Sequence, residues 1–146
     1  MKKPIFRQEE QVIQKRVTRQ GSDGYVLFRM VFDPETGDTD CAVLGIHEHP
    51  PGIEPIVPHF HREVEESVYV ISGEGIIKLG FDPNSMEEYK FKTGSCWFVP
   101  PDCYHQIINT GNSIVKMAAS YFRNDGRLVS HRVVSEELTE VSDSHI

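Results

Sequence analysis

The chain has 146 residues, of which 38% are hydrophobic and 25% are charged. This length fits one domain with a core of its own, so folding requires neither disulfides nor a structural metal. Fifteen basic and 22 acidic residues give a formal net charge of −7, and because no basic stripe interrupts this acidic balance, we expect no nucleic-acid partner.

Residues 1–24 mix charged and apolar side chains and are interpreted as an N-terminal arm. Residues 1–10 lack the apolar core of a signal peptide, and no apolar run approaches the ~20 residues of a membrane span. The three cysteines, Cys41, Cys96 and Cys103, are an odd number at no metal-binding spacing. Without a secretion signal, they predict reduced and buried thiols in a cytoplasmic protein. The lack of a long apolar run predicts no membrane partner.

From residue 25 onward the chain reads as a succession of short strands. Every second position between 25 and 33 is apolar, at Val26, Phe28, Met30 and Phe32, which is typical of a strand with one buried face. Further strands are predicted at 41–47, 57–61, 67–72, 75–79, 89–92, 95–99, 105–109, 113–122 and 128–134.

Turn-forming residues separate these strands, most densely at 34–40, 82–85 and 109–112. Many short strands with Gly, Pro and Asn between them, and almost no helical period, predict an all-β sandwich or jelly-roll barrel over 25–134. In the C-terminal tail, residues 135–146, only 135–138 has a helical pattern, with Ser135 as its candidate N-cap.

Two segments carry most of the ligand-type side chains. His59 and His61 are two residues apart, so on a strand they share one face. After a short turn, an antiparallel return strand would bring Glu66 back beside them. A second segment, 94–109, reads as a strand, a proline-forced turn and a strand that opens at His105, which in a closed barrel could bring a third imidazole to the same place.

These two segments resemble the paired signature motifs of the cupin superfamily, over roughly residues 52–109. The resemblance implies a double-stranded β-helix, the jelly-roll cupin barrel, and a bound metal ion. By the family's pattern, the metal ligands would be His59, His61, Glu66 and His105.

The sequence departs from this pattern at two positions. Gly52 lies one residue further from His59 than usual, which a loop can absorb, and Asp102 replaces a usual glycine. Aspartate is among the few other residues that tolerate a left-handed turn. The spacing to Gly73 favours Glu66 over Glu65 as the ligand, since the strand register turns Glu65 outward.

Three neutral imidazoles and one carboxylate suit Fe(II), Mn(II), Ni(II) or Zn(II) better than Mg or Ca. In an octahedral site, four protein ligands leave two adjacent open positions. A substrate could chelate there, or substrate and dioxygen could bind together.

His47 and Tyr121 are further candidates for catalytic contact with a substrate. The alternatives are a solvated loop position for His47 and plain core packing for Tyr121, which alternates with Met117 and Ala119 on the 113–122 strand. The predicted inward positions of the barrel are otherwise apolar, and they include Val68, Val70, Ile107 and Met117.

A cupin barrel hosts many chemistries, so the fold alone does not give the function. The leading hypothesis is a metal-dependent enzyme, a lyase or isomerase, that acts on a small oxygenated molecule such as a hydroxy acid, a keto acid or a diol. The alternatives are a non-haem Fe(II) dioxygenase and a sugar- or metabolite-binding module without turnover. Since the resembling proteins commonly dimerise through their sheets, we expect a homodimer whose interface includes the arm or the 25–33 strand.

Overall fold

The computed structural model describes residues 2–19, 21–123 and 139–143, and within these ranges ten strands form two antiparallel sheets. The larger sheet has the order β10-β1-β2-β3-β9-β4-β7, and the smaller has the order β6-β5-β8. The all-β jelly roll predicted from the sequence is confirmed. The strands are β1 Lys15–Thr18, β2 Val26–Phe32, β3 Leu44–His49, β4 Val64–Ser72, β5 Gly75–Gly80, β6 Glu87–Phe91, β7 Cys96–Val99, β8 Tyr104–Asn109, β9 Val115–Arg123 and β10 Thr139–Asp143.

Strands β4 and β9 form the centre of the core. They pair antiparallel, with Val70 opposite Met117, and both of these side chains are completely buried. Burial alternates along each strand as the period-two pattern predicted, so that one face packs inward and the other faces outward. Each large side chain buried in this way stabilises the fold by roughly 1.5–3 kcal/mol.

Strand β2 departs from its predicted apolar face at one end. Val26 and Phe28 lie in the core and Met30 packs against it, but Phe32 does not belong to the core. The register with β3 shifts between Met30 and Phe32, and an extra residue of this kind re-aims the side chains that follow. Phe32 instead lies 5.4 Å from the Arg7 guanidinium carbon, measured to the ring centroid.

Both predicted end segments contain a strand. Strand β1 lies within the segment 1–24 and pairs with β2 and β10, while β10 lies within the predicted tail. Before β1, a short 3-10 helix spans Glu9–Gln11, and Arg7 forms an ion pair of 2.9 Å with Asp38. The strand predicted at 128–134 and the helical pattern at 135–138 lie outside the described residues.

The strand predicted at 57–61 is wrong, because the segment makes only one isolated bridge, between His59 and His105. Pro55 and Pro58 have no backbone N–H groups to donate to a ladder, which explains why pairing does not extend along the segment. The segment nevertheless crosses beside β8, and this crossing brings its histidines to the barrel interior.

Gly73 ends β4 where only glycine fits. Its φ is +99°, and a Cβ there would lie 2.8 Å from the Val115 Cα. A side chain at this turn would therefore be costly.

The cysteines are only partly as predicted. Cys103 is buried, but Cys41 and Cys96 are exposed, and all three are free thiols. Strand β7 turns Cys96 and Phe98 to the outer face of the larger sheet. Among the described residues, no helix is long and apolar enough to cross a membrane.

Candidate metal centre

The four side chains that the sequence singled out come together inside the barrel. The ligand-type atoms of His59, His61 and His105 all lie within 4.8 Å of one another. The ring centroids are 5.4 Å apart for His59 and His61, 4.2 Å for His59 and His105, and 5.0 Å for His61 and His105. Glu66 completes the group, since its Oε2 is 3.5 Å from His61 Nε2 and 3.4 Å from His105 Nε2.

Backbone hydrogen bonds hold the segment with His59 and His61 against His105 and against Asp102. His59 N–H donates to His105 O at 3.1 Å, and His105 N–H donates to His59 O at 2.8 Å. Asp102 N–H donates to His61 O at 3.0 Å. Asp102 has φ = +64°, so the aspartate that replaces the usual glycine adopts the left-handed conformation predicted for it. Glu66 lies on β4, between Val99 of β7 and Tyr121 of β9.

Two of the imidazoles are oriented by carbonyl groups. His59 Nδ1 lies 3.0 Å from Val57 O, and His105 Nδ1 lies 3.2 Å from Cys103 O. A carbonyl oxygen can only accept a hydrogen bond, so the proton of each ring is held on Nδ1. The Nε2 lone pairs are then available to a ligand, which is the arrangement found around metal-binding histidines.

The charge states of the cluster also suit a cation. Burial by itself would raise the pKa of Glu66, but the imidazoles of His61 and His105 outweigh burial and hold this pKa well below its ordinary value. Burial, together with His105 and His61, lowers the pKa of His59 well below 6.5. At neutral pH the carboxyl group is therefore ionised and His59 is neutral, as metal ligands must be.

Glu66 Oε2 is the atom that tests whether a metal fits here. It is buried, and it has no hydrogen-bond partner among the described residues. A buried carboxylate oxygen without a partner is costly, and a cation among the four side chains would remove that cost. Three imidazoles and one carboxylate form a donor set that suits a divalent transition metal.

A small cavity opens from this cluster. Its volume is about 40 Å³, and since one water needs roughly 10–15 Å³ of such space, the cavity accepts only a few atoms of a ligand. Among the described residues, neither lysine nor arginine lines it. The lining consists of Val26, His47, His49, Ile56, His59, His61, Glu66, His105, Ile107 and Tyr121.

His47 and Tyr121 lie in this cavity and contact each other, with 2.7 Å between Tyr121 Oη and His47 Nε2. The loop position considered for His47 is wrong, since the residue belongs to β3 opposite Met117 of β9. Tyr121 packs in the core with Met117 and Ala119, as predicted, while its hydroxyl group reaches His47. Burial lowers the pKa of His47 to about 4, and burial together with Glu66 raises the pKa of Tyr121 well above 10.

Sequence reasoning did not assign His49 or Ile56 to the site. Strand β3 was predicted to end at His47 but continues to His49, and two residues along a strand return to the same face. A strand prediction extended by two residues would have found His49. Ile56 lies in the proline-containing segment, where no period is visible.

The sequence matches the cupin domain family over residues 45–121, more than half of the chain. The fold is similar to that of a predicted oxalate decarboxylase from Thermotoga maritima, with a TM-score of 0.68 and 21% identity over 82% of this chain and 99% of the other. The polyketide cyclase RemF from Streptomyces resistomycificus gives a TM-score of 0.61 and 22% identity over 92% of both chains.

Fe(II)-HppE, solved with the alternative substrate (S)-1-HPP, gives a TM-score of 0.65 and 18% identity over 82% of this chain and 60% of the other. At these identities the likeness concerns the fold. The comparison with curated proteins found no match in sequence. The family match spans β4, β8 and most of β9, the strands that bear Glu66, His105 and Tyr121, and the chain belongs to the cupin family.

Proposed function

We propose that the protein is a metal-dependent enzyme that acts on a small hydroxy acid, keto acid or diol. One divalent transition metal would be held by His59, His61, Glu66 and His105. The observation that carries this proposal is Glu66 Oε2, a buried carboxylate oxygen without a hydrogen-bond partner, 3.4–3.5 Å from two imidazole nitrogens. When bound, the metal supplies Lewis-acid polarisation of substrate oxygens.

The remaining cavity residues divide the other tasks between them. Val26, Ile56 and Ile107 form an apolar wall that excludes water and leaves the substrate's carbon atoms dry. Tyr121, whose pKa is raised by burial and Glu66, keeps its proton and can donate a hydrogen bond to an oxygen that gains negative charge. His47 Nε2 lies 2.7 Å from the Tyr121 hydroxyl oxygen, and in the tautomer that carries a proton on Nε2 it donates to this oxygen and leaves the hydroxyl proton for the substrate.

Elemental analysis of protein purified without added metal tests the proposal. We expect close to one equivalent of Fe, Mn, Ni or Zn per chain, and turnover of a short hydroxy or keto acid. A metal content near zero after purification, with no uptake when each of these ions is added back, would contradict it.

A non-haem Fe(II) dioxygenase is the second candidate. Four protein ligands would leave two positions of an octahedron for substrate and dioxygen, and the fold is shared with Fe(II)-HppE. Oxygen consumption during turnover separates the two reactions, because a lyase or isomerase consumes none. If the same acids bind saturably but no product forms, the third hypothesis, a metabolite-binding module without turnover, would be favoured.

A homodimer is also proposed, and the outer face of β4, β7 and β9 is its best-supported interface. Tyr69, Phe98 and Phe122 are each more than half exposed there. The groove beside Tyr69 and Phe98 is otherwise lined by uncharged residues, among them Ser67, Cys96 and Ala118. Two chains of net charge −7 repel each other least across an uncharged apolar face.

This face is better placed than the 25–33 strand, because both edges of β2 are already paired, with β1 and with β3. A stable contact should bury more than ~1,000 Å² in total. Light scattering should give twice 16.7 kDa, and Phe98→Glu should return the mass to that of one chain. A wild-type mass of one chain would refute the dimer. The cytoplasmic location remains a prediction.

A further inference from the structure

The cavity beside the metal cluster contains one polar side chain that neither the cluster nor the Tyr121–His47 pair uses. This residue is His49, at the end of β3. Its Nε2 is buried and has no hydrogen-bond partner among the described residues. Its neighbour His47, by contrast, has its own Nε2 engaged by Tyr121 at 2.7 Å.

His49, at the end of β3, lines the same small cavity as the metal cluster. The rings of His61 and Tyr121 are 6.2 Å apart, those of Tyr121 and His47 are 6.2 Å apart, and those of His47 and His49 are again 6.2 Å apart. Tyr121 and His47 thus connect His49 to the cluster through neighbouring rings, and all of these residues line the one small cavity. The backbone of His49 is fixed, because its carbonyl oxygen accepts from Asn109 Nδ2 at 2.8 Å.

The chemistry of this end of the cavity is neutral. The cavity lining has no lysine or arginine among the described residues, so a second carboxylate or a phosphate group would find no cationic partner there. A neutral imidazole both donates and accepts hydrogen bonds, and it suits a hydroxyl or carbonyl oxygen. The cavity volume of about 40 Å³ limits the enclosed part of the substrate to a few atoms.

We propose that His49 recognises the end of the substrate that is remote from the metal, and that it selects a short monocarboxylic hydroxy or keto acid with a neutral oxygen at that end. This inference rests on the proposed function, since it takes the other end of the substrate to be chelated at the cluster. His49 is a specificity-determining residue in this scheme, and it takes no part in the bond changes.

Three acids with the same 2-hydroxycarboxylate head test the proposal: lactate, with a methyl group at the remote end, glycerate, with a hydroxymethyl group, and malate, with a second carboxylate. Each would be titrated calorimetrically into protein loaded with Co(II), whose visible bands report chelation independently of binding heat. We expect glycerate to bind between about two- and tenfold more tightly than lactate, the effect of one net hydrogen bond, and malate to bind most weakly.

Two substitutions at His49 and one matched control complete the test. His49→Phe removes both ring nitrogens and should abolish the preference for glycerate while lactate still binds. His49→Gln keeps a donor and an acceptor and should retain part of it. Glu48→Gln, on the same strand but outside the cavity lining, should leave the preference unchanged, and circular dichroism checks that each variant folds.

The outcomes separate the two proposals. If all three acids perturb the Co(II) bands but glycerate and lactate bind equally, or if His49→Phe keeps the preference, His49 has no such role and the metal chelation stands. If none of the acids perturbs the Co(II) bands or releases binding heat, the proposed function fails and this inference fails with it.

Discussion

Replacing Glu66 with glutamine gives the most direct test of the proposed metal centre. Glutamine keeps the shape of the side chain but removes the negative charge that faces His61 and His105. Glu65 is the matched control, because it is adjacent on β4 and points to the opposite face. We expect Glu66→Gln to lose metal-dependent stabilisation and Glu65→Gln to retain it.

The size of the effect follows from linkage. At a metal concentration 100 times the Kd, binding to the folded chain alone stabilises it by about 2.7 kcal/mol, which for a domain near 150 residues raises the Tm by roughly 10 °C. Loss of a residue that only orients a metal ligand weakens metal binding by up to roughly 100-fold. Loss of the ligand Glu66 itself should weaken metal binding by at least that much. At the same metal concentration the stabilisation then falls to about 0.4 kcal/mol, or under ~2 °C.

Thermal unfolding of chelator-treated protein measures the shift in Tm that each metal ion causes. Mn(II), Ni(II), Zn(II) or anaerobic Fe(II) is added back, and Mg(II) is the control ion. The reasoning would be refuted by an equal Tm shift in wild type and Glu66→Gln. It would be refuted equally by a shift with Mg(II) as large as with the transition metals, since imidazoles are poor ligands for that ion.

Three further predictions follow from the same geometry. Chelation should remove activity but leave the far-ultraviolet circular dichroism unchanged, because the core is built from apolar side chains; unfolding on chelation would indicate a structural site instead. In the metal-free protein, the pKa of His47 is lowered to about 4 and that of His49 to about 3, chiefly by burial. As the pH falls below ~6.5, these histidines take up protons in the unfolded chain but not in the folded chain, so the urea concentration at the unfolding midpoint should fall. The decrease should be less steep in His49→Gln than in the wild type. Tyr121→Phe leaves His47 Nε2 without its partner, which should cost about 1–3 kcal/mol in the free energy of unfolding and lower kcat roughly 10²-fold; an unchanged kcat would remove Tyr121 from the reaction.

The parts of the site that the sequence predicted depend on local geometry. The period of two along β4 puts Glu66 on the same face as Val68 and Val70, and the structure has all three buried. The same rule places His59 and His61 together even though their segment is not a strand. An extended backbone is enough for residues two apart to share a face.

The parts that the sequence missed depend on pairing between distant segments. His49 belongs to the site because β3 continues for two residues beside β9, and nothing in the local pattern fixes where that pairing ends. Cys96 is exposed because β7 pairs with β4 in one of two possible registers, and a shift by one residue would have turned the thiol inward. The length and the register of these pairings depend on the packing of the whole barrel.

At Glu66, the side chain that would best stabilise the fold differs from the side chain that the proposed metal site needs. The other inward positions of β4, at Val64, Val68 and Val70, are buried aliphatic side chains, and a strand selected for stability alone would carry a fourth. A carboxylate there has to be desolvated, and its pKa is held low because the imidazoles of His61, His105 and His47, from three other segments, outweigh burial. A sequence that breaks a local rule without a structural gain usually does so at a functional site. Glu66, a buried carboxylate where an aliphatic side chain would stabilise the strand more, therefore marks the proposed metal centre better than any one of the histidines.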